Sequence, residues 1–341
     1  MTSYRDAGVD IAAKMRMIAA LKQSVESTQT PAVLAGVGAF GGCLDLSTAL
    51  PGLQQPVLVV STDGVGTKTL VAAAVGRFDT VGADLVNHCI NDILCQGATP
   101  LLFMDYIAAA RLEPAIVAPL VEGIANACKE AGIPLLGGET AEMPGVYAEG
   151  AFDLAGTIIG VVERDALITG RTIQAGDAIL ALPSTGLHTN GYSLARKVLA
   201  PLGYDARPEA LGGQTVGEAL LAVHRSYANE IKTLRLGGVE IRGLAHITGG
   251  GLWDNLPRIL PEGVGAVLWR GSWHVPPIFG LIVERAGIDE HEAFHVFNMG
   301  LGMLVVVPQQ SVDGALAVVP DARAVGEIVT WDGQGPRVRL E

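Results

Sequence analysis

Short, almost continuous apolar runs alternate along the chain with longer segments of spaced apolar residues. "PVLVVSTDG" (56–64), "PLLFMDYIA" (100–108), "FDLAGTIIGVVER" (152–164) and "FNMGLGMLVVVP" (297–308) have the length and β-branched content of strands. Helical spacing marks residues 11–27, "FDTVGADLVNHCINDILCQG" (78–97), "EPAIVAPLVEGIANACKEAG" (113–132, stopped by Gly132) and "TVGEALLAVHRSYANEIKTLRLGG" (215–238). "TPAVLAGVGAFGG" (30–42) reads as an irregular strand or flap, and "IPLLGGETAEMPG" (133–145) as a strand running into a glycine-and-carboxylate loop. "AILALPSTGLHTNGYSLARKVLAPLG" (178–203) gives strand, loop and helix, and "IRGLAHITGGGLWDNLPRILPEG" (241–263) a strand, a triple-glycine loop and a helix. A junction is expected at "TGRTIQAGD" (169–177), dividing the chain into domains 1–168 and 169–341. Strands and helices mix without a βαβ alternation, so the fold class is α+β.

Within 78–97 the polar residues Asp84, Asn87, His88, Asn91 and Asp92 share one face at helical spacing, and Leu85, Val86, Cys89, Ile90, Ile93 and Leu94 the other. Such a face is ordinarily solvated. A solvated face, however, is normally filled with the good helix formers Lys, Glu, Arg and Gln, whereas Asp, Asn and His are weak ones and good ligands. Directly after the first strand comes "STDGVGTKTL" (61–70), a glycine turn ending in Lys68 without P-loop spacing. It opens on Asp63. A carboxylate there suits a loop that binds phosphate through Mg²⁺, because Mg²⁺ takes one or two carboxylates plus phosphate oxygens. Asp63 and Asp92 are candidate ligands, Gly64 and Gly66 let backbone N–H groups approach, and Lys68 adds a point charge. The bland alternative is a hairpin turn at Asp63-Gly64. Glu139 and Glu142 follow a second glycine pair.

Gly249, Gly250 and Gly251 lead into a helix, where free N–H groups suit an anion such as a second phosphate. His246, just before them, reads as a core histidine bracing the backbone. His188 stands on a glycine-flanked turn, where it could serve as a base or a substrate contact or merely accompany capping by Thr189 or Asn190.

The formal net charge of −12 argues against non-specific nucleic-acid binding and makes a bridging cation more necessary for any polyphosphate ligand. "MTSYRDAGVD" has no apolar core of a signal peptide, and no apolar stretch is long enough to span a membrane. The four cysteines, Cys43, Cys89, Cys95 and Cys128, form no C-x-x-C pair, so reduced thiols in a cytoplasmic protein are expected.

"YRDAGVDI", "STDGVGTK", "INDIL", "GGETAEMPGVY", "GLHTNGYSL", "AHITGGG" and "FNMGLGM", in this order, resemble the phosphoribosylformylglycinamidine cyclo-ligase (aminoimidazole ribonucleotide synthetase) family over nearly the whole chain. The Asp-Gly-x-Gly-Thr-Lys loop alone would indicate only the wider superfamily. The resemblance implies two domains, ATP and Mg²⁺ as cofactors, formylglycinamidine ribonucleotide as substrate, and a homodimer paired through the strands of its mixed-sheet N-terminal domains. The C-terminal domain would be α/β sandwich-like. It places Asp63, Gly64, Gly66, Thr67, Lys68, Asp92 and Glu139 on the nucleotide side, with Asp63, Asp92 and Glu139 as metal ligands. His246, Thr248, Gly249, Gly250 and Gly251 fall on the substrate side, and Lys22, Asp92 and His188 at active-site positions. Ala39 stands where glycine is common, Thr189 where Ser is common, and His88 where a Met-like residue is common. Rival readings are selenophosphate synthetase, thiamine-monophosphate kinase, the amidotransferase-coupled enzyme of the preceding step, and a maturation scaffold that binds ATP without cyclising anything.

Overall fold

A computed structural model describes residues 20–36 and 41–341. The segment "YRDAGVDI", Ala39 and most of the helix expected over 11–27 lie outside the described residues; the described part of that helix is residues 20–26. The chain forms two compact units. The first takes the described residues up to Cys89 together with Thr99–Arg164, and the second takes Ile90–Ala98 and Asp165–Glu341. The change of unit at Arg164 precedes the junction anticipated at 169–177, and the earlier segment Ile90–Ala98 joins the later unit.

In the first unit, β1 (Val33–Ala35) and β2 (Cys43–Leu44) form a small antiparallel pair. The main sheet contains β3 (Pro56–Gly64), β4 (Thr99–Ala109), β5 (Leu135–Glu142) and β6 (Phe152–Glu163) in the order β3-β6-β4-β5. β4 and β5 run parallel and the other pairs antiparallel, so the sheet is mixed. The helix Asp79–Leu94 packs on one face: a Cβ on Gly156 of β6 would overlap the Phe103 ring and lie 3.0 Å from Leu85. The helix Pro114–Ala131 crosses that helix at two glycines. A Cβ on Gly82 would overlap the Leu120 carbonyl oxygen, and one on Gly123 that of Asp79. Glycine inside a helix costs about 1 kcal/mol relative to alanine, and here the close backbone crossing requires it.

The opposite face of this sheet is apolar and open. Leu58 and Val60 of β3 are 60% and 57% exposed, and Met104 and Tyr106 of β4 stand on the same side.

The second unit is built on β7 (Ala178–Pro183), β8 (Gly243–His246), β9 (Val264–Leu268), β10 (Leu301–Val307), β11 (Arg323–Thr330) and β12 (Val338–Leu340). Their order is β12-β9-β11-β7-β10-β8, antiparallel throughout except β12 against β9. β10 is buried along its whole length and β7 nearly so, which is why both read as unbroken apolar runs rather than alternating ones. The long helix expected over 215–238 is two helices, Val216–Leu220 and Ala228–Leu236. Among the described residues no helix is long and apolar enough to cross a membrane.

Candidate active site

In the first unit Asp63 and Gly64 are the last residues of β3, paired with Gly156 and Ala155, so they make no hairpin turn. The chain turns instead at Val65–Thr67, with Gly66 at φ 57°, and enters the helix Lys68–Val75. Thr67 occupies the cap position without a side-chain capping bond, and the Thr69 hydroxyl donates to the Gly66 carbonyl at 3.1 Å. The Gly64 N–H donates to Asp63 Oδ1 at 2.7 Å, and His88 Nε2 lies 2.7 Å from Asp63 Oδ2. The carboxylate keeps 41% of its side chain exposed.

Lys68 does not present the expected point charge to the loop mouth. Its Nζ lies 2.6 Å from Asp84 Oδ2 and both side chains are fully buried, because the inner side of the helix's first turn faces Asp84. Burial lowers the Lys68 pKa from its ordinary value, and the Asp84 charge and hydrogen bond oppose that shift. Glu139 and Glu142 lie within β5 rather than in a loop beyond it. Glu139 pairs with Tyr106 on the open sheet face, whereas Asp63 pairs with Gly156 on the helix-covered face. One ion therefore does not take both Asp63 and Glu139 of this unit. Glu139 accepts from the Thr140 N–H at 2.8 Å, and Glu142 from the Leu112 N–H at 3.1 Å. Lys22 is on the surface, 3.5 Å from Glu26.

The polar face of Asp79–Leu94 is not solvated: Asp84, Asn87, His88 and Asn91 are all buried. Asp84 and His88 engage the first unit as described. Asn91 and Asp92 group with the second. There Asn91 explains the broken helix. Its Oδ1 accepts from the Tyr227 N–H at 2.9 Å and its Nδ2 donates to the Arg225 carbonyl at 2.8 Å. The Thr185 hydroxyl donates to the Val223 carbonyl and the Tyr192 hydroxyl to that of Leu220. Side chains thus take up backbone groups that a continuous helix would have paired within itself.

The segment so opened carries His224, which is fully buried. His224 Nε2 lies 3.0 Å from His246 Nε2, and His246 Nδ1 lies 2.8 Å from Asp92 Oδ1. His246 therefore reaches a carboxylate through its ring and does not serve merely to brace the backbone. His188 is 1% exposed and its ring stacks on that of His224 at 4.0 Å, so the turn does not hold it out to solvent. It adopts φ 59°, an uncommon conformation for a non-glycine residue, and the Thr185 N–H donates to its Nε2 at 3.3 Å. Asn298 fastens this loop: it accepts from the Ser184 hydroxyl at 2.8 Å and donates to the Gly186 carbonyl at 2.9 Å. Cys95 beside Asp92 is no reactive thiol, since burial pushes its pKa up to about 12.

Thr248 and Gly249–Gly251 do lead into a helix, but it spans only Gly251–Asn255 before a 3₁₀ turn. A Cβ on Gly250 would overlap Asp254, and one on Gly251 the Phe294 carbonyl oxygen. Packing alone thus demands these two glycines, while a Cβ on Gly249 would meet only Asn190 Oδ1, at 3.3 Å.

Residues 48–162 match the family described as AIR synthase related protein, N-terminal domain, and residues 174–338 the corresponding C-terminal domain. The chain is 47% identical to the phosphoribosylformylglycinamidine cyclo-ligase of Shouchella clausii (strain KSM-K16), with 97% of each chain covered. To that of Myxococcus xanthus (strain DK1622) it is 50% identical, with 99% of each covered. The chain belongs to this cyclo-ligase family. Solved structures share the fold at lower identity. Hydrogenase maturation protein HypE in complex with ATP superposes with a TM-score of 0.69 at 20% identity, covering 96% of this chain and 91% of that one. Thiamine-monophosphate kinase from Stenotrophomonas maltophilia K279a gives 0.65 at 16% identity, covering 94% and 96%. Family membership and fold leave His224 and Asn298 without a role. Sequence reasoning assigned neither a role, since each acts through contacts far along the chain; Asn298 lay within the quoted motif "FNMGLGM" without being singled out, and Asn91 carried a signal as a weak helix former on a helix face.

Proposed function

We propose that this protein catalyses the ATP-dependent ring closure of formylglycinamidine ribonucleotide to aminoimidazole ribonucleotide, releasing ADP and phosphate. The observation that carries the reading is the near full-length identity to cyclo-ligases, at 47% and 50%. In this reaction the γ-phosphoryl group passes from ATP to the formyl amide oxygen, giving an iminophosphate. The amidine nitrogen then attacks that carbon, the carbon–oxygen bond breaks, phosphate leaves with the electron pair, and the nitrogen loses its proton. Such a sequence asks the protein mainly for positioning and charge stabilisation.

The part-exposed carboxylates of Asp63, in the first unit, and Asp92, in the second, are oxygen donors of the kind Mg²⁺ takes, and we assign each by itself as a candidate Mg²⁺ ligand. When bound, Mg²⁺ would neutralise developing phosphate charge. Gly64 and Gly66 leave backbone close to the nucleotide side, and Gly249 is the position of the later loop best able to lie against a substrate phosphate. Lys68 braces Asp84 beneath the first loop. His188 and Asp92 are the candidates for contact with the reacting groups. The open apolar face of the first unit's sheet suits a second copy of the chain, giving a homodimer, and the setting is the cytoplasm. A coupled assay for ADP release with formylglycinamidine ribonucleotide tests the reading. ADP formed only with that substrate and Mg²⁺ is the expected result; ATP binding without substrate-dependent turnover would overturn it.

A further inference from the structure

We propose that His224 is a positioning residue of the cyclisation site, holding His246 in register with Asp92 by a hydrogen bond and holding His188 by ring stacking.

The segment around His224 is fixed before any ligand arrives. The Thr185 and Tyr192 hydroxyls hold carbonyls on its N-terminal side, and Asn91 holds the Arg225 carbonyl and the Tyr227 N–H on the other. These bonds also favour one tautomer of the ring. The Asn91 oxygen is committed to the Tyr227 N–H, so the amide atom 3.1 Å from His224 Nε2 is its nitrogen, a donor. His224 Nε2 is therefore an acceptor, and its proton sits on Nδ1, directed at the Thr189 hydroxyl at 3.4 Å. His246 Nε2, 3.0 Å from the same atom, then offers a second N–H to its single lone pair, so that Asn91 and His246 share it in a three-centre bond. This bond fixes the His246 ring while Nδ1 faces Asp92 at 2.8 Å, a contact that one proton between them supports.

On its face, His224 carries the His188 ring at 4.0 Å and 17° from parallel. Gly302 lies close to the same ring: a Cβ there would be 3.2 Å from His188 Cε1 and overlap the Tyr227 hydroxyl. His188 is therefore packed closely, with the His224 ring against one face. A buried histidine that filled space alone would need neither the Asn91 bond nor the aligned Nε2 contact. Stacked, nearly parallel rings do not direct their in-plane lone pairs at one point, so the three histidines are better suited to mutual orientation than to joint ligation of one metal ion.

The proposal rests on the cyclo-ligase reading for its catalytic part. The test compares three variants of the full-length protein. His224→Ala removes both contacts, His224→Gln keeps a polar end where Nε2 stood, and His224→Phe keeps a stacking ring without the acceptor. We expect kcat to fall on the order of 10–100-fold in His224→Ala, with the ATP and substrate KM values within about threefold of wild type. The Gln and Phe variants should each recover part of kcat, and in the Phe variant, which leaves buried donors unpaired and so melts lower, kcat measured well below its melting temperature should remain impaired. Wild-type kcat in His224→Phe, or losses that follow melting temperature alone, would overturn the proposal. A second measurement is independent of turnover: ¹⁵N–¹H spectra of histidine-labelled protein should show His224 protonated at Nδ1. The His246 ring signals should move in His224→Phe. A proton on His224 Nε2 overturns the arrangement even if the enzyme is active, whereas the expected spectrum from a wild-type protein without turnover faults the reaction reading and not the ring geometry.

Discussion

Asp63 puts a negative charge at the mouth of a loop whose proposed ligand is itself an anion. The structure holds that carboxylate from two sides, by the Gly64 N–H and by His88, and still leaves 41% of the side chain exposed. Asp63→Asn retains an acceptor for the Gly64 N–H, loses the charge and turns an amide NH₂ towards His88, so its melting temperature should fall only slightly while the fold is kept. Turnover should fall on the order of tenfold or more and require higher Mg²⁺, and Asp92→Asn, which keeps an acceptor towards His246, should do the same. Titrating activity against Mg²⁺ beside a thermal melt checks this; unaltered Mg²⁺ dependence in both variants would remove these carboxylates from the cation's neighbourhood. Asp63, Asp92, His188 and His246 could be picked out as polar residues in special local settings. Their partners could not. Lys68 looked like a phosphate contact because nothing in "GTKTL" says which side of the first helical turn faces inward, and His224 sat unmarked inside a segment of helical spacing.

Elements were legible where one physical cause sufficed. β6 begins and ends within about a residue of its apolar run, since a continuous run with β-branched residues fits little else, whereas β3 runs on past Val60 through Ser61–Gly64, which pair with β6 although they are polar. The helix over 215–238 was misread because tertiary hydrogen bonds from Asn91, Thr185 and Tyr192 override its local preference. The crossing of Asp79–Leu94 and Pro114–Ala131 makes a prediction opposite in sign to helix propensity. Gly82→Ala should destabilise rather than stabilise, by about 1–3 kcal/mol, because the obstacle is the Leu120 carbonyl, which cannot rotate away. Chemical denaturation reads this directly, and an increase in stability would show that the helices can part without cost. Within β4, Asp105 lies against Gly138, where a Cβ would overlap its Oδ1, and burial raises its carboxyl pKa to about 7. A raised acid binds more protons in the folded state, so its contribution makes stability fall as pH rises from about 4, its unfolded value, to about 7. Asp105→Asn should therefore melt higher than wild type at pH 8, by up to about 4 kcal/mol in stability, and show no such gain near pH 4. Equal differences at both pH values would mean that the carboxyl is not what titrates.

For the whole molecule, the α+β class and the division into two units followed from the mixture of runs and from motif order. The open sheet face did not, because β3 alternates only weakly in sequence and the side left uncovered depends on where the helices lie. Val60→Lys places a charge in the middle of that face at little expense to the isolated chain. Light scattering should show a dimer for wild type and a smaller species for the variant; equal masses would direct the search for a partner elsewhere. If the face is closed by a second copy, the stability of the fold becomes a property of abundance. Each tenfold dilution towards the point where pairs separate would withdraw about 1.4 kcal/mol of stabilisation per dimer, and beyond that point Leu58, Val60, Met104 and Tyr106 would meet water or the wrong neighbour. A cell making little of this protein would hold it nearer to unfolding than a cell making much, so a change in expression alone could alter its lifetime with no change in any residue.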